Sequence, residues 1–357
     1  MSHCRNPLHC LLSPQVLQSI ARNGEEPQRD WAIRALNTDH SIRLARVQNA
    51  KVRGGGPREG ADALAVTATV KPNRIIRDAQ GQEDVSGKVV RGEGDGPTGD
   101  EATDEAYDGL GDTFAFFHEV HGRNSIDDEG MPLRGVVHFG EQYPNAFWDG
   151  KRMVFGDGDE KILGRMTRSL DVIGHELGHG VTEDEAGLEY LGQSGALNEH
   201  LSDVWGSLVK QRKNNQKADA ADWLIGSEVW TPEIEGDALR SMKAPGEAYD
   251  DPLVGKDPQP AHMRDYVETI EDNGGVHINS GIPNHAFYTT ATKLGGFAWE
   301  TAGRIWYETV QHPSLKTTTG FVRFAQITLR VAQRRYGKQS GEVTAVEEGW
   351  KQVGVLD

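Results

Sequence analysis

His175 and His179 stand four residues apart in the run His175-Glu176-Leu177-Gly178-His179. On a helix this spacing puts both imidazoles on one face. Such a pair can hold a metal ion, and Glu176 can reach a water bound there without being a ligand. The chemistry implied is metal-assisted hydrolysis. Taken alone, the same five residues also fit a surface helix with two solvated histidines. A catalytic zinc usually takes a further protein ligand and keeps one position open. Gly195-Ala196-Leu197-Asn198-Glu199-His200-Leu201-Ser202-Asp203 supplies the candidate. Glu199 and Asp203 are again four apart. Glu199 completes a His₂Glu set, and Asp203 can accept the second ring proton of a ligand histidine and fix its tautomer. Leu197, Leu201, Val204 and Trp205 would bury much of this helix, which argues against a merely solvated acidic face.

A third cluster comes later, Glu271-Asp272-Asn273-Gly274-Gly275-Val276-His277-Ile278-Asn279-Ser280-Gly281. Gly274-Gly275 permits a tight turn that lets Asp272 orient His277. A protonated His277 would stabilise the oxyanion that develops when water attacks a carbonyl. Without the other clusters this segment reads as a plain turn.

These side chains need rigid elements to hold them. After Asp171 the apolar spacing predicts mainly helices, over 171–182, 196–212, 280–293, 297–310 and 317–335. Before it the pattern is mixed. Strands are expected over 61–72, 88–90 and 135–139, and a helix over 104–122 carries Tyr107, Leu110, Phe114, Phe117 and Val120. Ser13-Pro14 reads as a helix start, with Leu17, Ile20 and Ala21 on one face and Gly24 as its end. Pro27 opens a second short helix with Trp31, Ile33 and Leu36. Lys51 to Gly60 is rich in Gly and charge and reads as an exposed linker, where proteolytic nicking concentrates.

The 357 residues suit two compact domains, and 36% apolar with 26% charged residues is ordinary for a globular chain. A net charge of −16 argues against a nucleic-acid partner, because phosphate binding needs a basic face. No apolar run is long enough to span a bilayer, so no membrane partner is expected. Residues 1–13 lack the features of a Sec signal, which leaves the cytoplasm or export by a non-classical route. Both cysteines, Cys4 and Cys10, fall in the first ten residues, so the main body has no disulfide.

The three clusters, in this order and spacing, resemble the thermolysin family of neutral zinc metallopeptidases. So do Tyr143-Pro144-Asn145-Ala146-Phe147-Trp148-Asp149-Gly150, Ala186-Gly187-Leu188-Glu189-Tyr190 and Leu239-Arg240-Ser241-Met242, and the likeness runs from about residue 80 to 357. It implies an α+β fold, with a mixed N-terminal domain over 61–184, a mainly helical domain over 185–357 and one catalytic zinc in the cleft between them. His175, His179 and Glu199 would bind that zinc, and Glu176 would be the general base. Tyr190 and His277 would hydrogen-bond the oxyanion, Asp272 would orient His277, and Asp203 would orient His175. Asn145 and Ala146 would hold an extended substrate and Arg240 would grip its carbonyl. Val172 and Leu239 match the pocket after the scissile bond, so cleavage before Leu, Phe or similar residues is expected in protein or peptide substrates.

His9-Cys10-Leu11-Leu12-Ser13-Pro14-Gln15-Val16-Leu17 resembles the short propeptide of the protealysin-like subgroup, although Ser13-Pro14 stands where that subgroup usually has two prolines. The resemblance implies a propeptide over 1–50, a linker with the processing region over 51–60, and a self-inhibited monomeric precursor that cuts itself near residues 45–60. Cys10 or His9 would block the open position on the zinc. The family's double calcium site is expected to be absent, because Lys210, Leu224 and Ser227 fall where carboxylates are needed beside Asp171 and Asp222. Calcium elsewhere stays possible. Two other readings compete: a catalytically silent binding protein on the same scaffold, and a zinc hydrolase of small amides.

Overall fold

The computed structural model describes residues 9–52 and 70–357, with the side chains of His9, Cys10, His40 and residues 42–52 left out. The chain opens with a short strand, β1 (His9–Cys10), followed by α1 (Pro14–Asn23) and α2 (Glu26–Val52). In α1, Pro14 occupies the first turn, Val16, Leu17 and Ile20 are buried, and the Gly24 N–H closes the end on Ile20 O. The second helix is much longer than the short one expected. No Gly or Pro falls between Gln28 and Val52, so nothing stops it, and it runs into the first two residues of the expected linker. The rest of that linker lies outside the described residues.

Then come β2 (Arg74–Asp78), β3 (Lys88–Gly92), α3 (Glu101–His121), β4 (Leu133–Val137), β5 (Ala146–Trp148) and β6 (Met153–Phe155). The strand expected over 61–72 falls on 61–69, outside the described residues, and 70–72 is not strand. The strand β2 was not anticipated, since Arg74-Ile75-Ile76-Arg77-Asp78 carries charge at three of its five positions and fully buries only Ile76. The end of β4 comes two residues early because His138 takes φ 54°, which leaves the extended region. Asp100 caps α3 by accepting from Thr103 N at 2.8 Å, and Gly122 ends it at φ 74°.

Among the described residues the strands form a six-stranded sheet in the order β1-β5-β6-β4-β2-β3. Both β2–β4 and β4–β6 are parallel, and the other pairs are antiparallel. The outermost strand beside β5 therefore comes from the N-terminal segment.

The remainder is mainly helical: α4 (Leu170–Glu185), α5 (Gly192–Lys213), the small pair β7 (Leu224–Ile225) and β8 (Arg240–Ser241), α6 (Asp272–Asn279), α7 (Gly281–Leu294), α8 (Ala302–Val310), α9 (Phe321–Tyr336) and α10 (Gly341–Gln352). The helix expected over 297–310 begins only at Ala302, and the one over 317–335 begins after Gly320. The last helix was not anticipated, although Val343, Val346 and Trp350 show the helical spacing.

The crossing of α4 over α5 sets the site, and small residues make it. A Cβ on Gly206 would stand 2.2 Å from Asp171 O, and one on Gly178 would stand 2.9 Å from Trp205 Cδ1. Contacts that close exclude any side chain, so the backbones can approach only with glycine there. The glycine inside His175-Glu176-Leu177-Gly178-His179 is thus a packing requirement.

Candidate active site

Because α4 and α5 touch so closely, residues from both converge below β5. His175, Glu176 and His179 on α4 and Glu199 on α5 are all completely buried. The two Nε2 atoms of His175 and His179 are 3.1 Å apart. Glu199 brings Oε2 to 3.5 Å from His175 Nε2 and Oε1 to 3.4 Å from His179 Nε2. Among the described residues, His175, His179 and Glu199 form a group that could hold a metal ion, with ligand atoms within 4.8 Å of one another.

The donor set fits such an ion on chemical grounds. His175 Nδ1 sits 2.8 Å from Asp203 Oδ1, and His179 Nδ1 sits 2.8 Å from Asn198 Oδ1. Both partners accept, so each Nδ1 carries the proton and each Nε2 carries a lone pair. Two lone pairs and a carboxylate then face one another in a site without water access. A cation between them makes that arrangement favourable.

Asp203 is a buried hub. Arg240 donates to it from Nη2 at 2.8 Å and from Nε at 3.0 Å. Burial alone would raise the Asp203 carboxyl, but the Arg240 charge and the His175 bond hold it well below the usual carboxylate range. The same ion pair keeps the buried Arg240 charged.

Asp272 through Gly275 all take positive φ, from 50° to 82°. This left-handed turn carries the Asp272 carboxylate back onto His277. Asp272 Oδ2 accepts from His277 N at 2.9 Å, and Oδ1 lies 2.6 Å from His277 Nδ1. Burial opposes a charge on His277, yet Asp272 and Glu199 raise its pKa to about 9. The other ring nitrogen, Nε2, faces Tyr190 Oη at 3.3 Å, and Tyr190 also donates to Glu199 Oε1. Glu176 Oε2 accepts from Trp148 N at 3.0 Å, which ties this carboxylate to β5.

The N-terminal segment lies against these residues. Antiparallel pairing sets His9 opposite Trp148 and Cys10 opposite Phe147. Leu11 N donates to Ala146 O at 3.3 Å, and Leu12 N donates to Asn145 Oδ1 at 3.0 Å. Arg240 Nη1 donates to Leu11 O at 2.9 Å. Both Leu11 and Leu12 are buried and line a small cavity with Val16, Leu239 and Arg240. Val172 is buried in α4 and is not among the residues lining that cavity. From α2, Asp39 accepts from Tyr143 Oη at 2.5 Å and from Asn145 Nδ2 at 3.3 Å, and Trp31 Nε1 donates to Gln142 O at 2.9 Å. The side chains of His9 and Cys10, expected to approach the metal, lie outside the described residues.

Two contributors were missed from sequence. Asn198 faces His179, and its place beside Glu199 was the available signal. Gln259 Nε2 donates to His277 O at 2.7 Å from 18 residues away, which no local pattern announces. At the start of α4, Lys210 Nζ lies 2.7 Å from Asp171 Oδ2 and 3.1 Å from Asp222 Oδ2, so the lysine pairs with both acids.

Residues 67–183 match the thermolysin metallopeptidase catalytic domain, and residues 186–355 match the alpha-helical domain of the same family. A protein named extracellular metalloprotease from Pectobacterium carotovorum subsp. carotovorum is 49% identical over 349 residues, covering 98% of this chain and 97% of its own. Protease PrtS of Photorhabdus sp. (strain Az29) is 46% identical over 347 residues, covering 97% and 91%. The solved precursor of protealysin, a metalloproteinase from Serratia proteamaculans, superposes with a TM-score of 0.87 at 49% identity, covering 98% of this chain and all of that one. The chain belongs to the thermolysin family of metallopeptidases, and it is a metalloendopeptidase. Within that family it is protealysin-like, and the family implies zinc.

Proposed function

We propose that the chain is made as a latent zinc endopeptidase whose residues 1–50 occupy the substrate cleft until they are cut away. The observation that carries this reading is the main-chain pairing of residues 9–11 along β5, with Leu12 N–H on the Asn145 side chain and Leu11 O on the Arg240 guanidinium. An extended peptide adds a strand to a sheet edge through main-chain bonds of this kind. In this register Leu11 occupies the position after the scissile bond, next to Leu239. That supports cleavage on the amino side of Leu, Phe and similar residues. Processing falls beyond Val52 within 51–60, because a helical bond is not in the extended form the cleft accepts. The catalytic body then comprises 61–184 and 185–357.

His175, His179 and Glu199 would hold the zinc, with Asp203 and Asn198 fixing the imidazoles. When bound, zinc supplies Lewis-acid activation of water and of the scissile carbonyl. Glu176 takes a proton from the attacking water and gives it to the leaving amine. Tyr190 and His277 donate to the oxygen that becomes negative, with Asp272 holding His277 in its donor form. Asn145, Ala146 and Arg240 hold the substrate backbone.

The double calcium site is absent in this reading, since the Lys210 ammonium sits between Asp171 and Asp222 and offsets one of their two charges. The Pectobacterium relative is named extracellular, which supports action outside the cell. The test is hydrolysis by the processed enzyme of a peptide with Leu after the scissile bond. Chelation should abolish it and added zinc should restore it. Full activity in the chelator would sink the reading.

A further inference from the structure

One connected set of buried side chains is left unused by the chemistry above. Trp306 on α8 points Nε1 at Nε2 of His200 on α5, at 2.8 Å. An indole N–H can only donate, so His200 Nε2 must accept. The His200 proton is then on Nδ1, which faces Asn284 Oδ1 at 2.8 Å. That fixes the Asn284 amide, whose nitrogen donates to Asp203 Oδ2 at 2.8 Å. Asp203 Oδ1 accepts from His175 Nδ1, also at 2.8 Å. Each link has one possible direction, set by the indole donor at one end and by the Asp203 carboxylate, which only accepts, at the other. All five side chains are completely buried, so no water competes. The indole cannot swing away. It stacks on Trp350 at 6.0 Å and meets Phe287 edge-on at 5.0 Å.

We propose that His200 and Asn284 are positioning residues for His175. They act through Asp203 and hold the His175 Nε2 lone pair toward the metal, so that the helical core around Trp306 sets the geometry of the zinc site. This rests on the reading of His175 as a zinc ligand. The relay touches no substrate. Arg240 also holds Asp203 through both carboxylate oxygens. Asn284 adds a further donor on Oδ2, from the side of the helical core.

The test uses the full chain labelled with ¹⁵N-histidine. The His200 resonances should report the Nδ1–H tautomer, and the Nε2–H tautomer would overturn the proposal. Zinc affinity is then measured by competition with a chromophoric chelator, beside the thermal midpoint of the zinc-free chain. Asn284→Asp keeps the shape and replaces the donor facing Asp203 by an acceptor. It should weaken zinc binding by about 10- to 100-fold, the usual effect of losing a partner behind a metal ligand. Trp306→Phe should weaken it in the same direction and less, and it carries the test alone if Asn284→Asp does not fold. A network that only stabilises the fold would lower the midpoint and leave zinc affinity unchanged, which would overturn the proposal. His175→Ala separates the two ideas: unchanged zinc affinity there defeats the ligand reading itself.

Discussion

Arg240 holds the main-chain oxygen of Leu11 at 2.9 Å through Nη1, while its Nε and Nη2 are committed to Asp203. One guanidinium thus joins the N-terminal segment to the carboxylate behind His175. If the segment inhibits as a bound strand, the Leu11 side chain should dominate its affinity, because it is completely buried beside Leu239. A synthetic peptide of residues 1–50 should inhibit the processed enzyme. Leu11→Ala in that peptide should raise the inhibition constant by roughly 30-fold or more, from about 2 kcal/mol of lost burial. Equal inhibition by both peptides would mean that Leu11 is not in the cleft.

Tyr190 donates to Glu199 Oε1, and His277 Nε2 lies 3.6 Å from Glu199 Oε2 and 3.3 Å from Tyr190 Oη. Tyr190→Phe keeps the ring and removes one of the two donors proposed for the developing oxyanion. The expected result is a loss of about a hundredfold in kcat with KM little changed. Steady-state kinetics on a short peptide decides it. A change confined to KM would place Tyr190 in ground-state binding instead.

His138 ties the start of α3 to the loop after β6. Its Nδ1 lies 2.8 Å from Asp157 Oδ2 and its Nε2 lies 3.3 Å from Asp100. The Asp157 bond, helped by both carboxylate charges and opposed by burial, raises its pKa to about 9. A raised folded-state pKa means the stabilisation is complete below the unfolded value of 6.5 and is lost as pH rises through about 9. His138→Gln should therefore cost about 1 to 2 kcal/mol at pH 6, allowing for partial exposure, and almost nothing at pH 10. Urea melts of both proteins at the two pH values test this. A cost that does not fall with pH would contradict the assignment.

Lys210 is mostly buried, and burial alone would lower its pKa. Asp171 and Asp222 outweigh burial and raise it. Lys210→Met leaves Asp171, which is completely buried, without its cation. The expected loss is on the order of 3 kcal/mol. Adding calcium should shift the melting midpoints of the unaltered chain and of Asp222→Asn by the same amount. A rise with calcium that Asp222→Asn loses would show that these acids bind the ion after all.

Spacing was enough to group His175, Glu176 and His179, and to pair Glu199 with Asp203, because four residues on a helix return to one face. The turn at Gly274-Gly275 was legible for the same local reason. What the sequence did not disclose is non-local. Nothing in either helix alone says that Gly178 and Gly206 will bring α4 against α5. The link from Trp306 to His200 spans 106 residues and depends on how α5, α7 and α8 pack. Strand β2 was hidden because a charged, half-buried strand shows little alternation, and β4 ended early on the φ of His138 alone.

The central claim is that Glu176 drives peptide hydrolysis at this site, including removal of the N-terminal segment. Intact-mass measurement of the purified full chain over time, beside its Glu176→Gln variant, tests it most directly. The unaltered chain should shorten to a product beginning after Val52, within residues 53–60, and should stop doing so in a zinc chelator. The Glu176→Gln variant should bind zinc and keep its full mass. Shortening of that variant at the same rate as the unaltered chain would contradict the claim.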